Sequence, residues 1–463
     1  MCDCSSIRRL GGGGALFATP WADRPKGLSQ TCCDLTAIDD APPRSCSSPP
    51  GPVQTKNALA PLKLWLVRSL AAEGVLLFAG LFNPRSYLGI NLMKAAVLEE
   101  MGRARPYAKS KPLVIQDVDL GPPGPDELLV KIKAAGLCHS DLSVINGDRP
   151  RPTPMVLGHE AAGVVEQCGP GVTDLKPGDQ IVLAFIPSCG ACIPCMEGRP
   201  ALCEPGARAN VAGTLLCGAR RLSVRNQPIY HHIGVSGFAE YAVVSRRSAV
   251  KVDSSLPAHE AALFGCAVLT GVGAVVNTAK VPAGSSVAVV GLGGIGLNAL
   301  LGAVLVGAAA IVAVDLNPDK LNVASQLGAT KVVKAGPDAT REVRELTGGG
   351  VDFAFEMASS VPALQMAYEI TRRGGTTVTA SLPHPDHRLS IPPVQLVAEE
   401  RTLKGSYMGS CIPARDIPRY ISLYQRGKLP VDKLLSEFVS FDSLNEGFDR
   451  LADGNTVRQM LTI

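Results

Sequence analysis

The chain has 463 residues, 46% of them hydrophobic and 19% charged, which is ordinary for a globular protein and long enough for two or three domains with sizeable cores. Net charge is +4, and residues 1–92 hold nine Lys/Arg against six Asp/Glu, leaving about +1 for the rest, so no basic face for nucleic acid is implied. Fourteen cysteines are many, but five precede residue 93 and most of the others stand in metal-like spacings; they read as thiolate ligands in a reducing compartment, not as a disulfide framework.

Residues 1 to about 60 are rich in Gly, Pro, Ser and Cys and lack the periodicity to bury a face, so disorder is expected. The apolar stretch from Leu64 to Phe82 carries Arg68 and Glu73 near its middle, which makes a membrane span expensive. No charged start leads directly into an apolar core, as a secretory signal would, and Asp34, Asp39 and Asp40 are out of character for a transit peptide. We therefore expect residues 1–92 to be an upstream extension, with Met93 the natural start.

From Met93 the texture becomes that of a compact domain. MKAAVL, LVIQDVDL, ELLVKIKAAGLC, GHEAAGVVEQCG and DQIVLAF alternate or run apolar between turns such as GPPGPDE, predicting a β-rich first domain. After Val281 the pattern becomes strand, helix, strand, with VDFAFE and TTVTAS as later buried strands, which predicts an α/β doubly wound sheet. Its first unit is diagnostic. Val287 to Val290 read as a parallel strand buried on both faces, and Gly291, Gly293 and Gly296 follow in G-x-G-x-x-G spacing. These glycines permit a tight turn, backbone approach to a pyrophosphate, and close helix packing, while the helix start offers unpaired N–H groups to phosphate. Ala310 to Val314 form the next strand, ending at Asp315, nineteen residues beyond Gly296. An acid there accepts both ribose hydroxyls and repels a 2'-phosphate, favouring NAD over NADP.

Two metal constellations stand out. Cys189, Cys192, Cys195 and Cys203 are spaced C-x2-C-x2-C-x7-C in a Gly- and Pro-studded loop, and four thiolates can close on one zinc with no open position, a structural site. The second set is dispersed: Cys138-His139-Ser140-Asp141, Gly158-His159-Glu160, and Cys266. Together they supply two thiolates, an imidazole, and carboxylates to support them.

GLCHSD, GHEAAGVV, the four-cysteine loop, GCAVLTG and GLGGIG occur in the order found in the zinc-dependent medium-chain alcohol dehydrogenases, which residues 93–463 resemble throughout. The resemblance implies a GroES-like β-rich catalytic domain (93–268 and 411–463) and a Rossmann NAD-binding domain (269–410). It implies a catalytic zinc on Cys138, His159 and Cys266, with Asp141 orienting His159 and Glu160 just behind the metal. Ser140 would take the alcohol proton. His139 and Arg458 would face the cofactor pyrophosphate, Thr270 would border the nicotinamide, and Gly291, Gly293, Gly294, Ile295 and Gly296 would form the phosphate turn. Asp315 would hold the ribose, assisted by Lys320. Two Zn2+ per subunit, NAD, a homodimer and a cytoplasmic location are further expectations, with neither nucleic acid nor membrane as partner.

Many members carry a histidine five positions after the first zinc cysteine, as the outer end of a proton relay; here it is Ser143. The segment from Gly213 to Tyr241 resembles the loop of the dimeric animal and plant branch, class III-like in character. Its His231 and His232 are expected to be loop-packing or interface residues, and Cys168, Cys217 and Cys411 carry no assigned chemistry. The function implied is zinc-dependent hydride transfer between a primary or aromatic alcohol, or its aldehyde, and NAD. Phe185 matches a position that lines an apolar pocket. Arg149 and Arg151 in GDRPRPTP fall near the pocket mouth, where they read as a solvated surface loop ahead of a substrate contact. A glutathione-dependent formaldehyde dehydrogenase is the enzymatic alternative. A non-catalytic NAD-binding relative is the alternative of another class, which a missing zinc ligand or a broken glycine turn would favour; neither is seen.

Overall fold

The computed structural model describes residues 91–463; the extension expected to be disordered, with its apolar stretch from 64 to 82, lies outside the described residues. Ten strands come first: β1 (Asn91–Leu98), β2 (Leu113–Leu120), β3 (Glu127–Gly136), β4 (Met155–Val156), β5 (Glu160–Cys168), β6 (Gln180–Leu183), β7 (Leu222–Val224), β8 (Gln227–His231), β9 (Tyr241–Ser245) and β10 (Ala249–Lys251). Next come β11 (Ser286–Val290), β12 (Ala310–Asp315), β13 (Lys331–Lys334), β14 (Val351–Glu356), β15 (Thr371–Thr379) and β16 (Thr402–Gly405). Two more, β17 (Leu435–Val439) and β18 (Arg458–Thr462), close the chain.

Strands β1, β2, β7, β8 and β4 close into a barrel, and beside it runs a sheet in the order β10-β6-β5-β3-β18-β17, with β9 paired to β3. Strand β3, ELLVKIKAAG, is central: all of it but Lys131 and Lys133 is buried between partners. Its last residue, Gly136, lies opposite both Glu160 of β5 and Met460 of β18. A glycine is needed there, since a Cβ would stand 2.5 Å from the Glu160 carboxylate. Because β18 returns to this sheet, the C-terminal strand delivers Arg458 beside the residues that follow β3.

The second lobe is a six-stranded parallel sheet in the order β13-β12-β11-β14-β15-β16. This is the doubly wound nucleotide-binding order, whose direction reverses between β11 and β14, and ligands bind outside the strand ends at that reversal. Val287 to Val290 are buried on both faces, as a parallel strand covered by helices should be. The GroES-like and Rossmann-type architecture expected from the sequence is therefore the observed one.

Helix α1 (His139–Ile145) starts at Cys138, α2 (Ala267–Gly273) starts at Cys266, and α3 (Gly294–Leu305) starts at the glycine turn. All seven residues of α2 are buried, and it crosses α3 so closely that a Cβ on Gly271 would lie 2.4 Å from the Ile295 carbonyl oxygen. Cys266 and the glycine turn are thus locked together through two helices in backbone contact. Among the described residues no helix is long and apolar enough to cross a membrane.

Candidate active site

Three dispersed segments meet between the lobes. Cys138 ends the extended chain after β3, His159 lies in the turn before β5, and Cys266 caps α2; all three are buried. Gly158 makes that turn possible: its φ is +90°, and a Cβ would meet the Phe238 backbone nitrogen at 2.5 Å. Gly158 N–H also donates to Asp141 Oδ1 at 3.0 Å, which ties the turn to α1. The donor atoms of Cys138, His159 and Cys266 all lie within 4.8 Å of one another, and His159 Nε2 is 3.5 Å from Cys266 Sγ. With bonds of roughly 2.0–2.3 Å to zinc, tetrahedral donors stand about 3.5–4 Å apart, so this set of two thiolates and one imidazole fits a zinc with a position left for substrate.

The ring orientation is set from behind. His159 Nδ1 stands 3.1 Å from Asp141 Oδ2 with both side chains buried, leaving Nε2 toward the thiols. Asp141 has a second imidazole at its other oxygen: His232 Nε2 is 3.3 Å from Asp141 Oδ1 and its ring stands edge-on to that of His159. This corrects the expectation for His232, which is a wall of the site and not loop packing. The chain reversal after β8 brings it there, and no motif in the sequence marks it. His231, one residue earlier, does pack within its loop: its Nε2 accepts the Arg221 backbone N–H at 2.9 Å, and burial, then Arg221 and Arg220, push its pKa down to about 3.

Charge beneath the triad is paired. Glu160 Oε2 is 3.0 Å from Arg458 Nη2, both fully enclosed, and Arg458 also donates to the Leu137 carbonyl at 3.1 Å. Burial pushes the Glu160 carboxyl up to about 7 against the opposing pull of Arg458. The two thiol pKa values are pushed apart: a hydrogen bond from Cys266 draws Cys138 well below an ordinary thiol, and the same hydrogen bond raises Cys266. Burial works to lower His159, but Asp141 and the Cys138 thiolate carry it well above the ordinary imidazole value.

The sulfurs of Cys189, Cys192, Cys195 and Cys203 also lie within 4.8 Å of one another. Backbone N–H groups point at them: Cys189 N to Cys203 Sγ at 3.1 Å, Cys192 N to Cys189 Sγ at 3.3 Å, and Gly206 N to Cys203 Sγ at 3.3 Å. Amides aimed at sulfur stabilise thiolate at Cys189 and Cys203, and four cysteine sulfurs at this spacing fit a closed tetrahedral zinc.

Two cavities adjoin the triad. The larger, a cleft along the switch point, is lined by Cys138, His139, residues Gly291 to Ile295, Asp315, Lys320 and Arg458. Within it Gly291 has φ +93° and Gly294 leaves room for the Arg458 guanidinium, whereas Gly296 does not line the cleft but lies buried behind the turn, where a Cβ would stand 1.8 Å from the Gly291 carbonyl oxygen. The Asp315 carboxylate accepts the Leu292 N–H at 2.6 Å and the Asn317 N–H at 2.9 Å, which pins it at the end of β12 facing the cleft. The second cavity runs over His159 and Cys266 and is walled by Ser140, Thr270, Phe185, Tyr407 and His232, among others. Phe185 stands edge-on to His159 at 5.5 Å and to Tyr407 at 6.1 Å. Ile295 lines both cavities, so a ligand in one meets a ligand in the other at that residue. Arg149 and Arg151 line the second cavity too, which places them on its wall instead of on a solvated loop. Ser143 lines neither, and its hydroxyl donates back to the His139 carbonyl at 2.9 Å.

Comparison with known proteins agrees with this geometry. Residues 124–254 match the alcohol dehydrogenase GroES-like domain family and residues 294–426 the zinc-binding dehydrogenase family. The chain is 34% identical to benzyl alcohol dehydrogenase from Acinetobacter calcoaceticus, with a TM-score of 0.75, and 33% identical to an alcohol dehydrogenase zinc-binding domain protein from Burkholderia ambifaria, with a TM-score of 0.76. Each match covers 81% of this chain and 99% of the other. A putative zinc-binding dehydrogenase from Sinorhizobium meliloti 1021, solved with NADP, is 27% identical over 81% of this chain and 100% of its own, with a TM-score of 0.66. From the order of its motifs, its two-lobed fold and these matches, the chain belongs to the zinc-dependent medium-chain alcohol dehydrogenases.

Proposed function

We propose that the protein interconverts a primary or aromatic alcohol and its aldehyde using NAD and a zinc held by Cys138, His159 and Cys266, with a second, structural zinc on Cys189, Cys192, Cys195 and Cys203. One observation carries this reading: the triad sits where two cavities meet, His159 and Cys266 lining the substrate pocket, Cys138 the nucleotide cleft, and Ile295 both. When bound, zinc supplies a Lewis acid that makes an alcohol hydroxyl acidic near neutral pH, and NAD supplies the hydride acceptor.

The chain's own residues do the rest. The Ser140 hydroxyl, on the pocket wall, accepts the proton of the substrate hydroxyl and passes its own outward. Asp141 holds His159 in one tautomer, and the Glu160–Arg458 pair keeps the charge behind the thiolates balanced so that the triad is not rebuilt during turnover. Phe185 and Ile295 give the reacting carbon an apolar wall that excludes water, and Thr270 lines the same pocket. In the cleft the turn from Gly291 to Gly296 and the start of α3 present N–H groups to the pyrophosphate, with His139 and Arg458 beside them. Asp315 and Lys320 border the ribose end, where the carboxylate favours free hydroxyls and NAD. Likeness to a benzyl alcohol dehydrogenase, and a pocket with Phe185 and Tyr407 in its wall, support an aromatic alcohol. A homodimer working in the cytoplasm completes the proposal.

The test is NADH formation by the purified, zinc-loaded protein across primary, aromatic and branched alcohols, with S-hydroxymethylglutathione included. Turnover of simple or aromatic alcohols that disappears on zinc removal supports the reading. Activity confined to the glutathione adduct replaces it with the formaldehyde dehydrogenase alternative, and NAD binding without turnover of any alcohol replaces it with the non-catalytic one.

A further inference from the structure

The substrate cavity has a charge asymmetry. Its lining includes two guanidinium groups, Arg149 and Arg151, and no carboxylate. Both arginines are half-buried, and neither forms an ion pair among the described residues. Arg149 spends one N–H on the Leu382 carbonyl at 2.9 Å, while Arg151 Nε is buried with no partner. Asp148, the nearest acid in sequence, takes a hydrogen bond from Asn146 instead. Burial and the neighbouring Arg149 both press the Arg151 pKa below its ordinary value. Two like charges held together on a cavity wall, one with an unused buried donor, are a cost that an anion in the cavity would remove.

The local sequence keeps them there. In Arg149-Pro150-Arg151-Pro152 each arginine precedes a proline, which disfavours helix and holds its backbone extended, and the proline rings fix φ between them. Little backbone freedom remains to be lost when the guanidiniums bind. Tyr407 lines the cavity with them, its ring edge-on to that of Phe185 at 6.1 Å. The arginines share one chamber with His159 and Cys266, so a molecule whose hydroxyl sits at those ligands lies in the same cavity as the guanidiniums.

We propose that the alcohol oxidised here carries a carboxylate distal to its reacting hydroxyl, as in an ω-hydroxy acid or a hydroxymethyl-substituted aromatic acid, and that Arg151 with Arg149 binds that carboxylate. This rests on the dehydrogenase reading above. The planar guanidinium fork matches the two oxygens of a carboxylate, a match a lysine or a lone amide does not make.

The experiment compares matched pairs on the zinc-loaded protein: 4-(hydroxymethyl)benzoate against 4-methylbenzyl alcohol, and 6-hydroxyhexanoate against 1-hexanol. For each, kcat/KM is measured by NADH formation, and binding to the protein with NAD present is measured by calorimetry. We expect at least one acid to be preferred over its neutral partner by about ten-fold or more, equivalent to about 1.4 kcal/mol. That preference falls to near one in Arg151→Gln and in Arg149→Gln, is partly kept in Arg151→Lys, and weakens with added salt. Unfolding curves of each variant show whether a loss reflects the site or the fold. Turnover of neutral alcohols with no preference for either acid overturns this inference and leaves the dehydrogenase reading standing. Absence of all turnover, with acid binding that Arg151→Gln abolishes, overturns the dehydrogenase reading and keeps the anion site. Absence of both turnover and acid binding overturns both.

Discussion

Replacing Asp141 with Asn keeps the shape of the side chain and removes its charge, which isolates what the carboxylate does for the metal triad. Asp141 is fully buried, 3.1 Å from His159 Nδ1 and 3.3 Å from His232 Nε2, and accepts the Gly158 N–H. Loss of a partner of this kind behind a ligating histidine weakens metal binding by about 10–100-fold, equivalent to about 1.4–2.7 kcal/mol. The pH dependence gives a second readout. Asp141 and the Cys138 thiolate raise His159 above its ordinary value, so without metal this ring holds a proton that zinc must displace, as it must the proton on Cys266. Apparent zinc affinity therefore falls as pH drops through the raised His159 value. In Asp141→Asn that value falls, the protonated range retreats to lower pH, and zinc uptake near neutrality releases fewer protons. The assay is competition with a chromophoric chelator across pH, with proton release followed by an indicator dye. An unchanged affinity, or a weaker affinity with the same pH profile and proton count, would refute the argument that Asp141 acts through the charge state of His159.

Cys195→Ser should remove the structural zinc, lowering metal content by one ion per chain and stability by more than about 3 kcal/mol, read by metal analysis and thermal melting. Gly296→Ala drives a Cβ to within 1.8 Å of the Gly291 carbonyl oxygen; it should cost about 1–3 kcal/mol and weaken NADH binding, measured by fluorescence titration. Asp315→Asn should lower kcat/KM for NAD by about 10–100-fold, the worth of hydrogen bonds to a charged group, and narrow the gap to NADP. Ser143→His should raise turnover at low pH if proton export limits the rate, and an unchanged pH profile would discard that route.

What could be read from the sequence was whatever depends on local spacing. The four cysteines around Gly190, the glycine turn after β11 and the acid closing β12 each lie within one short stretch, and their chemistry follows from backbone geometry that a spacing encodes. The Cys138, His159 and Cys266 set is scattered, and only the resemblance to a family joined it. Nothing local marks His232: it reaches Asp141 through the reversal after β8, a tertiary event. The place of Arg149 and Arg151 is hidden for a related reason. A Pro-rich loop with arginines has the composition of a surface, and only the packing of Leu382 and Tyr407 over it makes it a cavity wall. Gly136 reads as an ordinary strand residue until Glu160 is seen folded against it.

The central claim is that hydride transfer depends on metal at the Cys138, His159 and Cys266 triad. Stepwise chelation, with zinc content and alcohol-dependent NADH formation followed on the same samples, tests it most directly. Turnover should vanish with the first, exchangeable zinc while the four-cysteine zinc and the fold remain, and added zinc should restore it. Full turnover in protein that has lost that zinc would contradict the account.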